Sequence, residues 1–153
     1  MNQTPGEVRA VLIPLHHGRL LLPNASVAEV VGYQEPETLP GTPDWLAGMI
    51  SWRQQQVPLV CFDRLAGMLP GDMAVRARIA VCNALGGNPQ RPYIALLAQS
   101  VPRLVRVSEE VIRPDPEPAD LGAAVLRQVL IGGEGAWIPD LDVVERLVEE
   151  ALA

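Results

Sequence analysis

Lysine is absent from this 153-residue chain, so all 12 basic residues are arginines. That removes Schiff-base chemistry and the lysine on which a phosphate-binding P-loop depends. Cysteine and histidine are scarce: Cys61 and Cys82 lie 21 positions apart, and His16 and His17 are adjacent. Neither Cys-x-x-Cys nor His-Glu-x-x-His occurs, so no metal site at ordinary ligand spacing is expected. Two lone cysteines make no disulfide framework and read as buried free thiols inside strands. Aromatic residues make up only 4% of the chain, and 18 acids against 12 bases leave a net charge of −6. An oligonucleotide-binding barrel, which needs basic and aromatic residues on one sheet, fits poorly, as does an anionic membrane surface. No apolar run approaches the roughly 20 residues that cross a bilayer, and the start of the chain lacks a basic, apolar leader. A cytoplasmic protein without membrane insertion is expected.

Catalytic groupings are equally thin. His16-His17 reads as a polar hairpin tip beside Gly18, with successive side chains pointing to opposite faces. Glu109-Glu110 and the proline-spaced Asp115 and Glu117 read as solvated surface. Gly132-Gly-Glu-Gly precedes a strand, whereas a phosphate-cradling loop opens a helix. A hydrolase would lack both nucleophile and base, and no enzyme and no cofactor are expected.

What the chain does have is short apolar segments separated by turn residues. Its length suits one domain. Val8–Leu15 and Leu20–Pro23 read as a hairpin. Asn24 is positioned to cap a helical turn that leads into a strand near Val30. Residues 34–44 carry three prolines and read as a crossing loop, with further breaks at 69–73 and 86–92. From Trp45 to Met68 two apolar runs flank Arg53-Gln-Gln-Gln, a four-residue step that suits a turn, and a short helix follows from Phe62. Val125–Ile131, a Gly132-Gly-Glu-Gly turn and Ala136–Ile138 form a last hairpin. Asp140 then caps a helix over Leu141–Leu152 whose Leu141, Val144, Leu147, Val148 and Ala151 share one face. Many short strands with one terminal helix indicate a mainly β chain built as a small barrel or pair of barrels.

Three segments in order carry a family resemblance. Gly48, Ser51-Trp52-Arg53-Gln54 and Val57-Pro58-Leu59-Val60-Cys61-Phe62 form the first. Ala77–Leu85 and Tyr93–Ala98 follow, and Val105–Glu117, with its Ile112-Arg-Pro-Asp-Pro-Glu, completes the set. Together they resemble the CheW family of chemotaxis coupling proteins over most of residues 8 to 150. Within that family the PilI/ChpC-type branch of type IV pilus chemosensory systems is the nearest in character. The resemblance implies two intertwined SH3-like β-barrel subdomains with a C-terminal helix. One barrel would span 20–68, the other 8–19 plus 76–139, and the helix 140–152. It also implies an adaptor that couples the cytoplasmic tip of a methyl-accepting chemoreceptor to the regulatory domain of a CheA-type histidine kinase. A divergent member would keep one contact and act as an array spacer or competitor.

Four positions would then bind protein. Arg53 matches the arginine of the family's receptor-contacting turn, where a planar guanidinium offers several fixed donors; otherwise it is a solvated turn charge. Gly48 would let a partner's backbone approach closely, or is a bulge glycine with no partner. Glu29 matches an acidic position near the receptor face, or is a solvent-facing acid. Trp52 stands where the family has leucine and is either core or an interface anchor. Two further departures stand out: Gln54 replaces the glycine after the arginine, which implies a turn of different shape, and Cys61 replaces the usual aspartate.

Overall fold

The computed structural model describes residues 7–69, 71–72, 75–86 and 88–153. Residues 1–6 and 74, and Pro70, Met73 and Gly87 within the expected breaks, lie outside them. Eleven strands form two sheets among the described residues. A six-stranded sheet holds β1 (Val8–Pro14), β2 (Arg19–Pro23), β8 (Arg103–Val107), β9 (Ile112–Pro114), β10 (Val125–Ile131) and β11 (Glu134–Pro139), in the order β8-β1-β2-β11-β10-β9. A five-stranded sheet holds β3 (Val27–Gly32), β4 (Leu46–Trp52), β5 (Gln55–Val60), β6 (Arg78–Asn83) and β7 (Tyr93–Ala98), in the order β3-β6-β7-β5-β4. A short helix α1 (Phe62–Leu65) follows β5, and α2 (Leu141–Leu152) closes the chain.

Strand burial explains the sheets. In β1, Ala10 and Leu12 pack with Leu21, Val107, Val129 and Ala136 inside the six-stranded barrel, while Val11 and Ile13 point the other way. In β7, Ala95 and Leu97 join Ile50, Trp52, Val57, Leu59, Ile79 and Val81 inside the five-stranded barrel, while Ile94, Leu96 and Ala98 point outward from it. Those outward sets meet each other, and Val144 and Val148 of α2, in one shared core. Strands buried on both faces lose the alternation of a half-exposed sheet and read as continuous apolar runs, as β1, β2, β6 and β7 do.

The expected division of the barrels at 20 and 68 is therefore displaced. A tight turn, closed by the Leu15 N–H donating to the Gly18 carbonyl at 2.8 Å, keeps β2 beside β1. Antiparallel pairing of β6 with both β3 and β7 places 78–98 in the other barrel, with residues 27–60. The helical turn after β2 is present as a 3-10 turn at Asn24–Ser26, but Pro23 precedes it and no side chain caps it, so Asn24 is not the cap. Both hairpin turns expected as four residues close in two: Arg53-Gln54, and Gly132-Gly133 with both residues at positive φ. The Asp140 side chain caps α2 by accepting from the Val143 N–H. On that helix Val143 and Leu152, besides Leu141, pack against the shared core.

Both cysteines are free and buried. Cys82 lies in β6, whereas Cys61 falls just past β5 as the residue before α1 rather than within a strand. Burial pushes the Cys82 thiol from the ordinary 9.0 up to about 12, and burial likewise raises Cys61. Above pH 9 the unfolded chain releases the Cys82 proton while the folded chain keeps it, so folding stability falls as pH rises towards 12. Unfolding free energies from urea titrations at pH 7 to 10 are expected to hold level to about pH 9 and then decline by up to about 1.4 kcal/mol per pH unit from this source. Cys82→Ala is expected to flatten that decline.

Candidate functional site

The edge strands β3 and β4 of the five-stranded sheet are bridged by the side chains of Glu29 and Trp52, and Glu29, Trp52 and Arg53 collect on that seam. Beyond β3 the chain closes it. The Gln34 side-chain amide donates to the Ser51 carbonyl and its oxygen accepts from the Ser51 N–H, each at 3.0 Å. Glu37 and Met49 exchange two backbone hydrogen bonds of 2.8 and 2.9 Å. The crossing loop thus occupies the outer edge of β4, leaving that edge covered rather than free for another strand.

At the end of the seam lies the β4–β5 turn. Arg53 and Gln54 both have positive φ, +48° and +65°, as the two-residue hairpin that suits strand twist requires. Replacing glycine by Gln54 has therefore not abandoned the left-handed conformation. The cost of holding a side chain there is about 1–2 kcal/mol per residue. Gln54→Gly is expected to raise stability by about 0.5–1 kcal/mol, the relief being partly offset by glycine's greater freedom in the unfolded chain. A urea titration checks this, and a loss of stability would show that the Gln54 side chain contributes something the turn geometry does not reveal.

Glu29, Trp52 and Arg53 come together at this tip. The Trp52 indole N–H donates to Glu29 Oε1 at 2.8 Å, and the Arg53 guanidinium donates to the same oxygen at 3.3 Å. The guanidinium carbon lies 4.6 Å from the centre of the Trp52 ring, within cation–π range. Below, Trp52 meets Tyr93 edge-on with centroids 4.7 Å apart. Trp52 is only 6% exposed and belongs to the barrel core, so it is a platform under the arginine and not an anchor offered to a partner. Arg53, by contrast, has a side chain 66% exposed, and that of Glu29 is 42% exposed. An exposed ion pair contributes little to stability; its effect here is to fix where the guanidinium points.

Gly48 is not part of this surface. It is buried at a break in the β4–β5 register, with φ +142°. A Cβ there would lie 2.3 Å from the Glu37 carbonyl oxygen. The backbone that approaches Gly48 is the chain's own, which corrects the expectation of room for a partner.

One residue with a large structural role carries no signal in the sequence pattern. Asp63 in α1 is 1% exposed, and its two oxygens accept the backbone N–H groups of His16 and His17, each at 3.1 Å. The two imidazoles do not diverge as the hairpin-tip reading implies. Nε2 of His16 lies 3.0 Å from the Asp72 carbonyl and Nε2 of His17 meets the Leu69 carbonyl, so both rings donate to the chain after α1. These contacts join residues 46 to 56 positions apart, which no spacing rule reports. Among the described residues no group of three or more His, Cys, Asp or Glu side chains is placed to hold a metal ion.

Residues 9–151 match the family model of the CheW-like domain. The chain belongs to the CheW-like family. A probable chemotaxis protein CheW from Rhizobium etli is 29% identical over 106 residues, which cover 69% of this chain and 65% of that relative's length. The crystal structure of the scaffolding protein TtCheW from Thermoanaerobacter tengcongensis superimposes with a TM-score of 0.75 at 20% identity, covering 92% of this chain and 89% of that one. At that identity the likeness establishes the fold: two SH3-like β-barrel subdomains and a C-terminal helix. No helix among the described residues of this CheW-like chain is long and apolar enough to cross a membrane.

Proposed function

We propose that this CheW-like chain is a non-enzymatic cytoplasmic scaffold that couples a membrane-anchored chemoreceptor to a CheA-type histidine kinase. The five-stranded barrel receives the receptor's cytoplasmic tip at the Arg53 turn, and the six-stranded barrel meets the kinase regulatory domain. The observation that carries this reading is the presentation of Arg53. Its guanidinium is held by the Trp52 face and the Glu29 carboxylate yet is mostly exposed, at the position where the resemblance places the receptor contact. A planar, pre-positioned fork of donors suits the carboxylates and carbonyls of a helical receptor tip, with less side-chain entropy left to lose on binding. Transmission of the signal needs no bond chemistry, only different affinities for different partner states. The positive φ at Gln54 favours a working receptor turn over a divergent one.

The test is calorimetric titration of the chain with a CheA-type regulatory domain and, separately, with a chemoreceptor tip, at fixed salt. Micromolar binding to each is the expected result. Binding to the kinase domain alone would make the chain an array spacer, and binding to neither would overturn the coupling role.

A further inference from the structure

The strand edges of this fold are not treated alike. Gln34 and Glu37 cover β4, and β9 is three residues long and ends at Pro114. β8 pairs with β1 on one side, and no backbone hydrogen bond reaches its other side among the described residues. It offers five residues, Arg103–Val107, with Arg103, Leu104 and Arg106 exposed. Leu104 is 72% exposed. Neither Arg103 nor Arg106 has an ion-pair partner among the described residues. Two exposed arginines therefore stand on one open edge of a chain whose net charge is −6.

Register adds a pocket to the edge. Arg106 stands opposite Arg9, and Leu104 opposite the buried Val11. A hollow of about 260 Å³ is lined by Arg9, Asn24, Leu104, Val105 and Arg106. Beside the aliphatic Leu104 and Val105 and the Asn24 amide, the Arg106 guanidinium gives this lining a donor for a carboxylate next to an aliphatic chain.

The geometry points to the β8 edge as a docking strand for an extended acidic segment of a partner protein, which carries an apolar residue two positions from one Asp or Glu on one face, towards Leu104 and Arg106, and a further Asp or Glu on the other face, towards Arg103. The segment adds to β8 through backbone hydrogen bonds, sets its carboxylates against Arg103 and Arg106, and lays an apolar residue on Leu104. Arginines on an open edge also decide which strand is refused. A second copy would bring the same positive edge against this one, and like charges opposed across strands disfavour that pairing. Charge therefore selects an acidic partner over self-association. This surface is on the other sheet from Arg53 and needs neither receptor nor kinase.

The probe is a set of short synthetic acidic peptides, each with an apolar residue two positions from one carboxylate and a second carboxylate on the opposite face, titrated into the full chain and followed by backbone amide NMR. Shifts and exchange protection concentrated in 103–107 are expected. Affinity should fall at least about tenfold with Arg106→Glu, while Arg53→Ala leaves it unchanged. Raising the salt should weaken binding, and methylating alternate peptide nitrogens should abolish it. Because Arg103 and Arg106 are exposed, their variants are expected to melt with the parent chain. No binding by any acidic peptide, equal binding of lysine-containing peptides, or a dimer formed through β8 would each overturn the proposal.

Discussion

Asp63→Ala is expected to cost about 3–5 kcal/mol of folding stability, the largest single loss among polar residues. The carboxylate accepts two backbone N–H bonds from the His16-His17 turn at 3.1 Å each and is almost wholly buried. Hydrogen bonds to a charged acceptor are worth about 1.5–3 kcal/mol each, and their removal here leaves two donors without partners. Asp63→Asn keeps one acceptor oxygen and adds unwanted donors, so it is expected to lose roughly half as much stability. Denaturant unfolding orders the three proteins. If alanine were no worse than asparagine, or either cost less than about 1 kcal/mol, the turn would not depend on this carboxylate. The loss should also loosen the contacts of both histidines with residues 69 and 72, visible as faster amide exchange around the turn.

Gly48→Ala is expected to cost a similar amount, about 3–5 kcal/mol, for a different reason. The added Cβ would meet the Glu37 carbonyl oxygen at 2.3 Å and its carbon at 2.8 Å, at a φ of +142°. Those are backbone atoms, with no flexible end to swing away, so overpacking and backbone strain add together. Relief comes by lifting residues 36–37 off β4, which breaks the paired Glu37–Met49 hydrogen bonds. Amide exchange at Met49 should therefore accelerate before global unfolding. Gly41→Ala is the control: its φ is +78° but nothing lies within 4 Å of the added carbon, so it should cost only about 1–2 kcal/mol. Equal costs at the two positions would remove the loop contact from the account. Reduced receptor binding by a Gly48 variant would thus report a displaced loop rather than a lost contact, and Arg53 is the position that isolates recognition.

These two residues also mark how far the sequence could be read. β1, β2, β6 and β7 were recognisable as strands because both of their faces are buried, which leaves unbroken apolar runs. The same property hid their sheet membership: with both faces apolar, nothing in Leu20-Leu21-Leu22 tells which face lines the six-stranded barrel and which meets α2. Asp140 was readable as a cap since capping is local. Asp63 was not, because its donors lie 46 and 47 positions away. At the candidate site the types were legible and the geometry was not. Arg53 and Glu29 stand out through the resemblance to the CheW family; by position alone each reads as a solvated charge. Their shared contact with Trp52 bridges the first and last strands of one sheet through side chains 23 and 24 positions apart, which no spacing rule reports. Gly48 was legible as a glycine that something approaches closely, but the approaching backbone, Glu37, arrives through a proline-rich loop with no pairing signal of its own.

The adaptor reading rests most directly on Arg53, and receptor-tip affinity of Arg53→Ala and Arg53→Lys against the parent chain is the measurement that tests it. Both variants should keep parental folding stability and parental affinity for the kinase regulatory domain. Alanine is expected to weaken receptor-tip binding at least about tenfold, and lysine to recover only part of it, since an ammonium cannot reproduce the planar fork over Trp52. Unchanged receptor binding in Arg53→Ala, or an equal loss towards both partners, would contradict the placement of the receptor contact at this turn.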